Sequence, residues 1–260
     1  MRADQLLVER GLAASRSQAQ RLIASGMRWR MVGDSGAAWK PVGKNGDELP
    51  PEAEVELLDA AESRYVSRGG VKLEAALKTS GISVRGKYCL DVGQSTGGFT
   101  DCLLQQGAAQ VVGVDVGHGQ LHPRLRADPR VLCIEKVNAR TLSAIDLIAA
   151  CAHGERATAR FDLITADLAF ISLTLVLPAL VPLLEPGGEL LMLVKPQFEL
   201  QPGQIGKGGI VKDRALYGVV EQRLRDCCAA RGLQVLGWHD SALPGGDGNR
   251  EFFVHAKPTH

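Results

Sequence analysis

The sequence predicts an α/β protein: a mainly parallel, helix-covered sheet ending in an antiparallel hairpin, preceded by a small α+β module. Three observations predict it. Short apolar runs at 87–92, 110–116, 131–135, 161–167 and 189–194 alternate with helical patterns at 98–106, 120–127, 141–152, 173–184 and 212–231. Such alternation builds a parallel sheet with helices on both faces. The last two runs, 234–238 and 251–256, are separated by the turn Pro244-Gly245-Gly246-Asp247-Gly248-Asn249. That leaves no room for a crossover helix, so the pair must be antiparallel. Finally, residues 1–60 carry two short helical patterns and three short strand candidates, too little for a catalytic cleft.

Taken in order, Asp4 is placed to cap a first helix through Leu6, Leu7 and Val8 that stops at Gly11. Ser15 or Ser17 caps a second, with Ala19, Leu22 and Ile23 on its apolar face and Gly26 as its stop. Strands are expected at 27–32, 39–42 and 55–58. Residues 61–70 read as a linker ending in the turn signal Ser67-Arg68-Gly69-Gly70. A helix over 71–77, carrying Lys72 among Leu73, Ala76 and Leu77, then opens the second domain, 71–260.

With 260 residues the chain has room for one large and one small domain. Its 45% hydrophobic and 23% charged content is that of a soluble globular protein. The net charge of +1 hides an uneven distribution: +4 over 1–33, −6 over 34–62 and +4 over 63–86. The first segment's arginines suggest a phosphate-contacting face or a solvated helix face. Six cysteines fall inside predicted strands and helices without metal spacing, as expected of buried thiols in a reducing cytoplasm. The start of the chain has no secretory hydrophobic stretch. The uncharged run 168–184 is 17 residues long and holds Pro178 and Pro182. It reads as a loop and a buried crossover helix; a bilayer crossing takes about 20 residues. No membrane segment and no metal site are expected.

The organising stretch is Cys89-Leu90-Asp91-Val92-Gly93-Gln94-Ser95-Thr96-Gly97-Gly98-Phe99-Thr100-Asp101: strand, tight turn, helix. Asp115 closes the second strand, 22 residues beyond Gly93, where an acid accepts hydrogen bonds from ribose hydroxyls. A dinucleotide site wants Gly-x-Gly-x-x-Gly around a pyrophosphate. Here the glycines are 93, 97 and 98, and the preceding Asp91 would repel a pyrophosphate. It suits a ligand with an amino group and no phosphate, such as S-adenosylmethionine. The alternative is a purely structural turn in another doubly wound enzyme. A parallel sheet closed by an antiparallel hairpin is also the usual Rossmann-like architecture of class I methyltransferases.

Ligands of such sheets bind beyond the carboxyl ends of the strands. Asp167 ends the 161–167 run, Lys195 ends 189–194, and Glu251 opens the final antiparallel strand, so all three belong to that edge. Lys72 precedes the first strand. Separately each reads equally well as a rim charge; together they make a candidate site.

The pattern Arg2, Asp4, Leu7, Gly11-Leu12, Ser15-Arg16, Ala19, Leu22-Ile23, Gly26 resembles the S4 domain, an RNA-binding module. Met31-Val32-Gly33-Asp34 departs from that module's usual hairpin turn. The order Lys72, Asp167, Lys195, Glu251 matches the Lys-Asp-Lys-Glu tetrad of RNA 2'-O-methyltransferases. With Ser67-Arg68-Gly69-Gly70-Val71-Lys72-Leu73, the Asp91–Asp101 stretch, Lys195-Pro196-Gln197-Phe198-Glu199, Gly206-Lys207-Gly208-Gly209-Ile210-Val211 and Asn249-Arg250-Glu251, the chain resembles the TlyA (hemolysin-like) family of ribosomal RNA methyltransferases, whose catalytic domain is FtsJ-like. Gln94 departs from it, standing where that family usually has alanine, and is expected beside the cofactor.

The resemblance implies S-adenosylmethionine-dependent 2'-O-methylation of cytidine in 16S or 23S ribosomal RNA, in the cytoplasm, with ribosomal RNA or subunits as partner. Lys195 would be the general base, in surroundings where burial and nearby Lys72 disfavour a charged amine. Asp167 would orient it, and Lys72 and Glu251 would position the ribose. Asp91, Gly93, Ser95 and Gly97 are assigned to the methionine end of the cofactor, Asp115 to its ribose and Asn138 to its adenine. Arg2, Arg16, Arg21 and Arg28 are assigned to RNA, and 201–211 to a lid. Three rivals stay open: a membrane-acting hemolysin, a non-catalytic RNA-binding or ribosome assembly factor, and a dinucleotide-dependent oxidoreductase.

Overall fold

A computed structural model describes residues 1–13, 15–24, 26–33, 38–58, 64–150 and 159–259, without the side chains of Ser17, Arg21 and Ala150. Asp34, Cys151, the first linker residues and the Arg21 side chain therefore lie outside the described residues. The chain divides into two compact units, Met1–Val71 and Lys72–His260.

In the first unit, helices α1 (Ala3–Glu9) and α2 (Arg16–Ala24) accompany a small antiparallel sheet in the order β2-β1-β3. Its strands are β1 (Met27–Arg30), β2 (Lys40–Pro41) and β3 (Glu54–Leu57). Leu6, Leu7, Ala19, Leu22, Ile23 and Met27 make the core. The Ser15 hydroxyl accepts from the Gln18 N–H at 3.2 Å, so it receives an N–H of the first turn of α2. Asp4 does not cap α1. Arg2 holds the N-cap position, and Asp4 sits inside the helix, fully buried. A buried carboxylate needs partners more than a helix end needs a cap, and Asp4 pairs with Arg2 at 3.0 Å and Arg16 at 3.7 Å.

The second unit opens in helix α3 (Arg68–Ser80). Its seven-stranded sheet runs β6-β5-β4-β7-β8-β10-β9. The central strands β4 (Tyr88–Val92), β5 (Gln110–Asp115), β6 (Val131–Glu135), β7 (Phe161–Ala166) and β8 (Leu184–Val194) are mutually parallel. Strand β10 (Phe252–Pro258) lies antiparallel between β8 and β9 (Leu233–Asp240). β8 starts five residues before the predicted 189. The added residues include Pro186-Gly187-Gly188, and the pairing with β7 shifts register there.

The helices that frame the site are α4 (Gly98–Gln105), α5 (Pro123–Arg126), α6 (Ala144–Ala150), α7 (Leu173–Leu180), α8 (Pro196–Glu199) and α9 (Ala215–Ala229). The uncharged 168–184 run is a loop followed by α7, whose Leu173, Val176, Leu177 and Leu180 are buried in the main core. Among the described residues no helix is long and apolar enough to cross a membrane. Strand order reverses at β4, with β5 on one side and β7 on the other. In doubly wound sheets ligands bind at such a switch point, beyond the carboxyl ends of the strands.

Candidate active site

Four charged side chains meet beyond the carboxyl ends of β7 and β8. Asp167 and Lys195 follow directly on those strands, and Lys195 Nζ lies 2.6 Å from Asp167 Oδ1. Glu251 precedes β10, whose Phe252 pairs with Val194, so the antiparallel strand delivers it beside Lys195. Lys72, on α3, reaches Glu251 at 2.5 Å. Both members of this second pair are buried. Burial pushes the Glu251 carboxyl up against the opposing pull of Lys72 and Lys195, and Asp167 adds to the rise. The four groups thus share one electrostatic environment rather than forming two separate rim pairs. Sequence order alone gives no distance between them.

The glycine turn is built at the switch point. Gly93 (φ 84°), Ser95 (φ 47°) and Gly97 (φ 94°) have left-handed backbone, which glycine adopts without steric cost. A side chain at 93 would overlap the Asp167 carbonyl oxygen, so the turn packs directly on the loop that carries the tetrad acid. Asp91 is buried beneath it, and its Oδ2 accepts from the Thr100 hydroxyl at 2.7 Å. Its Oδ1 is buried and accepts no hydrogen bond. Burial, with Asp167 and Asp115 nearby, pushes Asp91 up to about 7, while Thr100 opposes the rise through its hydroxyl and backbone N–H. Three carboxylates around one turn suit a cationic ligand.

The remaining sequence assignments are placed less simply. Asp115 already receives two backbone N–H groups, from Ser95 and Gly117, both at 2.7 Å. It fixes the glycine turn from the neighbouring strand. Asn138 is exposed, and its side chain caps a short 3-10 helix, Ala139–Thr141, by accepting from the Arg140 N–H. Gln94 differs from expectation. It is 4% exposed, packed over Gly113 and bonded to Thr100, so it lies under the turn. The proposed lid is tied down at its end: Asn249 accepts from the Val211 N–H and donates to the Gly209 carbonyl, both at 2.9 Å.

Two residues have roles that the sequence did not assign. Phe170, three positions after Asp167, is 91% exposed with φ 63°, and its ring centroid is 5.2 Å from that of Phe198. An exposed aromatic in a strained backbone is a candidate functional residue, but nothing in a single sequence gives its φ. Glu199 is buried and accepts from the Ser172 hydroxyl and the Leu173 N–H, anchoring the start of α7. In the first unit, Arg2, Arg16 and Arg28 all form ion pairs, Arg28 with Glu56 at 2.6 Å. Trp39 lies under both Arg28 and Arg30, with centroid distances of 5.1 and 4.6 Å. Among the described residues no group of His, Cys, Asp or Glu is arranged to hold a metal ion.

A seven-stranded sheet with its last strand inserted antiparallel, an acidic glycine turn at the switch point and a charged tetrad beside it define a class I methyltransferase fold. The FtsJ-like methyltransferase family model matches residues 65–258. The "16S/23S rRNA (cytidine-2'-O)-methyltransferase TlyA" of Mycobacterium tuberculosis is 45% identical over 97% of this chain and 88% of its own. "Hemolysin A" of Brachyspira hyodysenteriae is 35% identical over 98% and 99%. A solved hemolysin-named structure from Streptococcus thermophilus superposes with a TM-score of 0.74 at 37% identity, covering 100% of this chain and 88% of the other. The chain belongs to the FtsJ-like methyltransferase family, among its TlyA members.

Proposed function

We propose that the protein methylates a ribose 2'-oxygen of ribosomal RNA, cytidine in the 16S or 23S molecule, using S-adenosylmethionine in the cytoplasm. The observation that carries this reading is the meeting of the Lys72–Glu251 and Lys195–Asp167 pairs beyond the strand ends, beside the glycine turn that covers buried Asp91. The substrate class follows the name of the 45% identical relative from Mycobacterium tuberculosis. When bound, S-adenosylmethionine supplies an electrophilic methyl group on a sulfonium.

The glycine turn and its carboxylates fit that cofactor on their own chemistry. An amino group and a sulfonium bring positive charge to the three carboxylates, and the unbonded Asp91 Oδ1 offers the amino group a buried acceptor. Gly93, Ser95 and Gly97 would hold the methionine end, Asp115 the ribose and Asn138 the adenine.

A ribose hydroxyl is a poor nucleophile until its proton is drawn away. Lys195 would accept that proton, held in place by Asp167. Lys72 and Glu251 would position the ribose. Phe170 offers an exposed ring on which a base splayed out of its stack can rest. Residues 1–60 would act as an S4-like RNA-binding domain through Arg2, Arg16, Arg21 and Arg28, joined by the 61–70 linker to the catalytic domain.

The test is transfer of labelled methyl from S-adenosylmethionine to unmodified bacterial ribosomal subunits, followed by alkaline hydrolysis. Label in alkali-resistant dinucleotides is the expected result, because a 2'-O-methyl blocks cleavage at that ribose. Label in mononucleotides would indicate base methylation and overturn the tetrad roles. No label on either subunit would favour a non-catalytic RNA-binding factor.

A further inference from the structure

Asp91 on β4 stands in register between Gly113 on β5 and Thr165 on β7. Cross-strand neighbours point to the same face of a sheet, so glycine at 113 leaves the space beside the carboxylate without a side chain. Gln94 fills that space. Its amide lies where a Cβ on residue 113 would project. From there Gln94 Nε2 donates to Thr100 Oγ1 at 2.9 Å, and Thr100 Oγ1 donates to Asp91 Oδ2 at 2.7 Å. All three residues are buried.

The order of donors in this relay follows from the orientation of the Gln94 amide, which turns Nε2 toward Thr100. An amide N–H only donates, and a hydroxyl has a single proton. With Gln94 occupying a lone pair of the Thr100 oxygen, the Thr100 proton is committed to Asp91 Oδ2. A proton on that carboxylate oxygen would place two hydrogens between the same two atoms, so the relay favours the charged carboxylate. It also fixes the carboxylate plane, leaving Oδ1 as the oxygen with no hydrogen bond.

We propose that Gln94 and Thr100 are positioning residues for S-adenosylmethionine: the Gln94–Thr100–Asp91 relay sets how tightly the amino group of the cofactor is held. This rests on the assignment of Asp91 to the methionine end. The charged groups near Asp91 oppose its ionisation: Asp115 at the end of β5 and Asp167 beyond β7. Asp101, next to Thr100 on α4, is paired with Arg124 at 2.8 Å. The relay therefore works against both burial and local negative charge.

The experiment is calorimetric titration of the full chain with S-adenosylmethionine, from about pH 5.5 to about pH 8.5. The control ligand is 5'-methylthioadenosine, which lacks the amino acid portion. A hydrogen bond to a charged group predicts that Thr100→Val weakens S-adenosylmethionine by ~10-fold or more, and Gln94→Ala by ~3-fold. Methylthioadenosine affinity stays in place, and the acid limb of the S-adenosylmethionine profile moves to higher pH. Thr100→Ser restores the affinity. Gly113→Ala, which displaces the Gln94 amide, reproduces Gln94→Ala. In turnover the loss falls on KM for the cofactor more than on kcat. Unchanged affinity in Thr100→Val and Gln94→Ala, with Asp91→Asn impaired, overturns the relay and leaves the Asp91 assignment standing. Equal loss of both ligands also overturns it, marking a packing role. Unchanged affinity in Asp91→Asn removes the assignment and the relay together.

Discussion

Lys195 Nζ sits 2.6 Å from Asp167 Oδ1, bridging the ends of the adjacent parallel strands β8 and β7. Both side chains keep some exposure, 16% and 27%, so water screens this pair more than the buried Lys72–Glu251 pair. Lys195→Ala is expected to lower kcat by ~10²–10⁴-fold, the range of a lost general base, with cofactor affinity nearly intact. Single-turnover methylation and calorimetry on the same preparation check the split. Equal losses in both would mean that Lys195 holds the cofactor rather than the proton.

The Lys72–Glu251 pair differs in kind because it is buried. Removing one member strands the other, at a cost of about 3–5 kcal/mol. Lys72→Met and Glu251→Leu should each lower the unfolding free energy strongly, and the double variant should recover most of it. Activity should be lost in all three. A denaturant series on the four proteins measures the coupling, and additive losses would rule out a direct pair.

Asp91 carries a pH signature whose sign is fixed. Its carboxyl is pushed up to about 7 from an ordinary 3.8, so the folded chain holds a proton that the unfolded chain has released. Its contribution is full below the unfolded value and is lost as pH rises through about 7. Asp91→Asn should therefore raise the melting temperature of the ligand-free protein at high pH and much less in acid, while weakening S-adenosylmethionine. A melting series against pH for both proteins tests it. An unaltered slope would mean that another group titrates.

The sequence made the sheet and the tetrad legible for a simple reason. Parallel strands end in the same direction, so residues that close apolar runs, Asp167 and Lys195, must share an edge, and the forced hairpin brings Glu251 to it. Local pattern could not reveal what depends on tertiary packing. Asp4 looks like a cap from its neighbours, yet it is drawn inside α1 by Arg2 and Arg16. Gln94 is expected beside the cofactor, yet Gly113, 19 positions on, gives it a buried seat under the turn. Asn138 follows the third strand as the pattern indicates, and its capping of the turn at Ala139–Thr141 is a local detail that the pattern does not give.

Phe170 offers a test of substrate contact separate from the charged groups. At 91% exposure, its removal should change stability by less than about 0.5 kcal/mol. Loss of a stacked base is worth about 1–3 kcal/mol, so Phe170→Ala should weaken RNA binding or raise its KM by ~5–100-fold, while Phe170→Trp retains function. Cofactor binding should not move. RNA kinetics indistinguishable from the parent would remove Phe170 from the substrate site.

The first unit makes an opposite prediction, in which removing acids improves binding. Arg28 and Arg30 on β1 are paired with Glu56 and Glu54 on β3, and Trp39 lies under both guanidinium groups. If this strand faces RNA, each glutamate competes with a phosphate for its arginine. The double change Glu54→Gln and Glu56→Gln should then tighten RNA binding several-fold at low salt and steepen its salt dependence by about one counterion per arginine freed. Arg28→Ala should do the reverse. Fluorescence anisotropy with a ribosomal RNA fragment across a salt series separates the two. Affinity that ignores all three substitutions would move the RNA-contacting face to the helices, where Arg2 and Arg16 share Asp4.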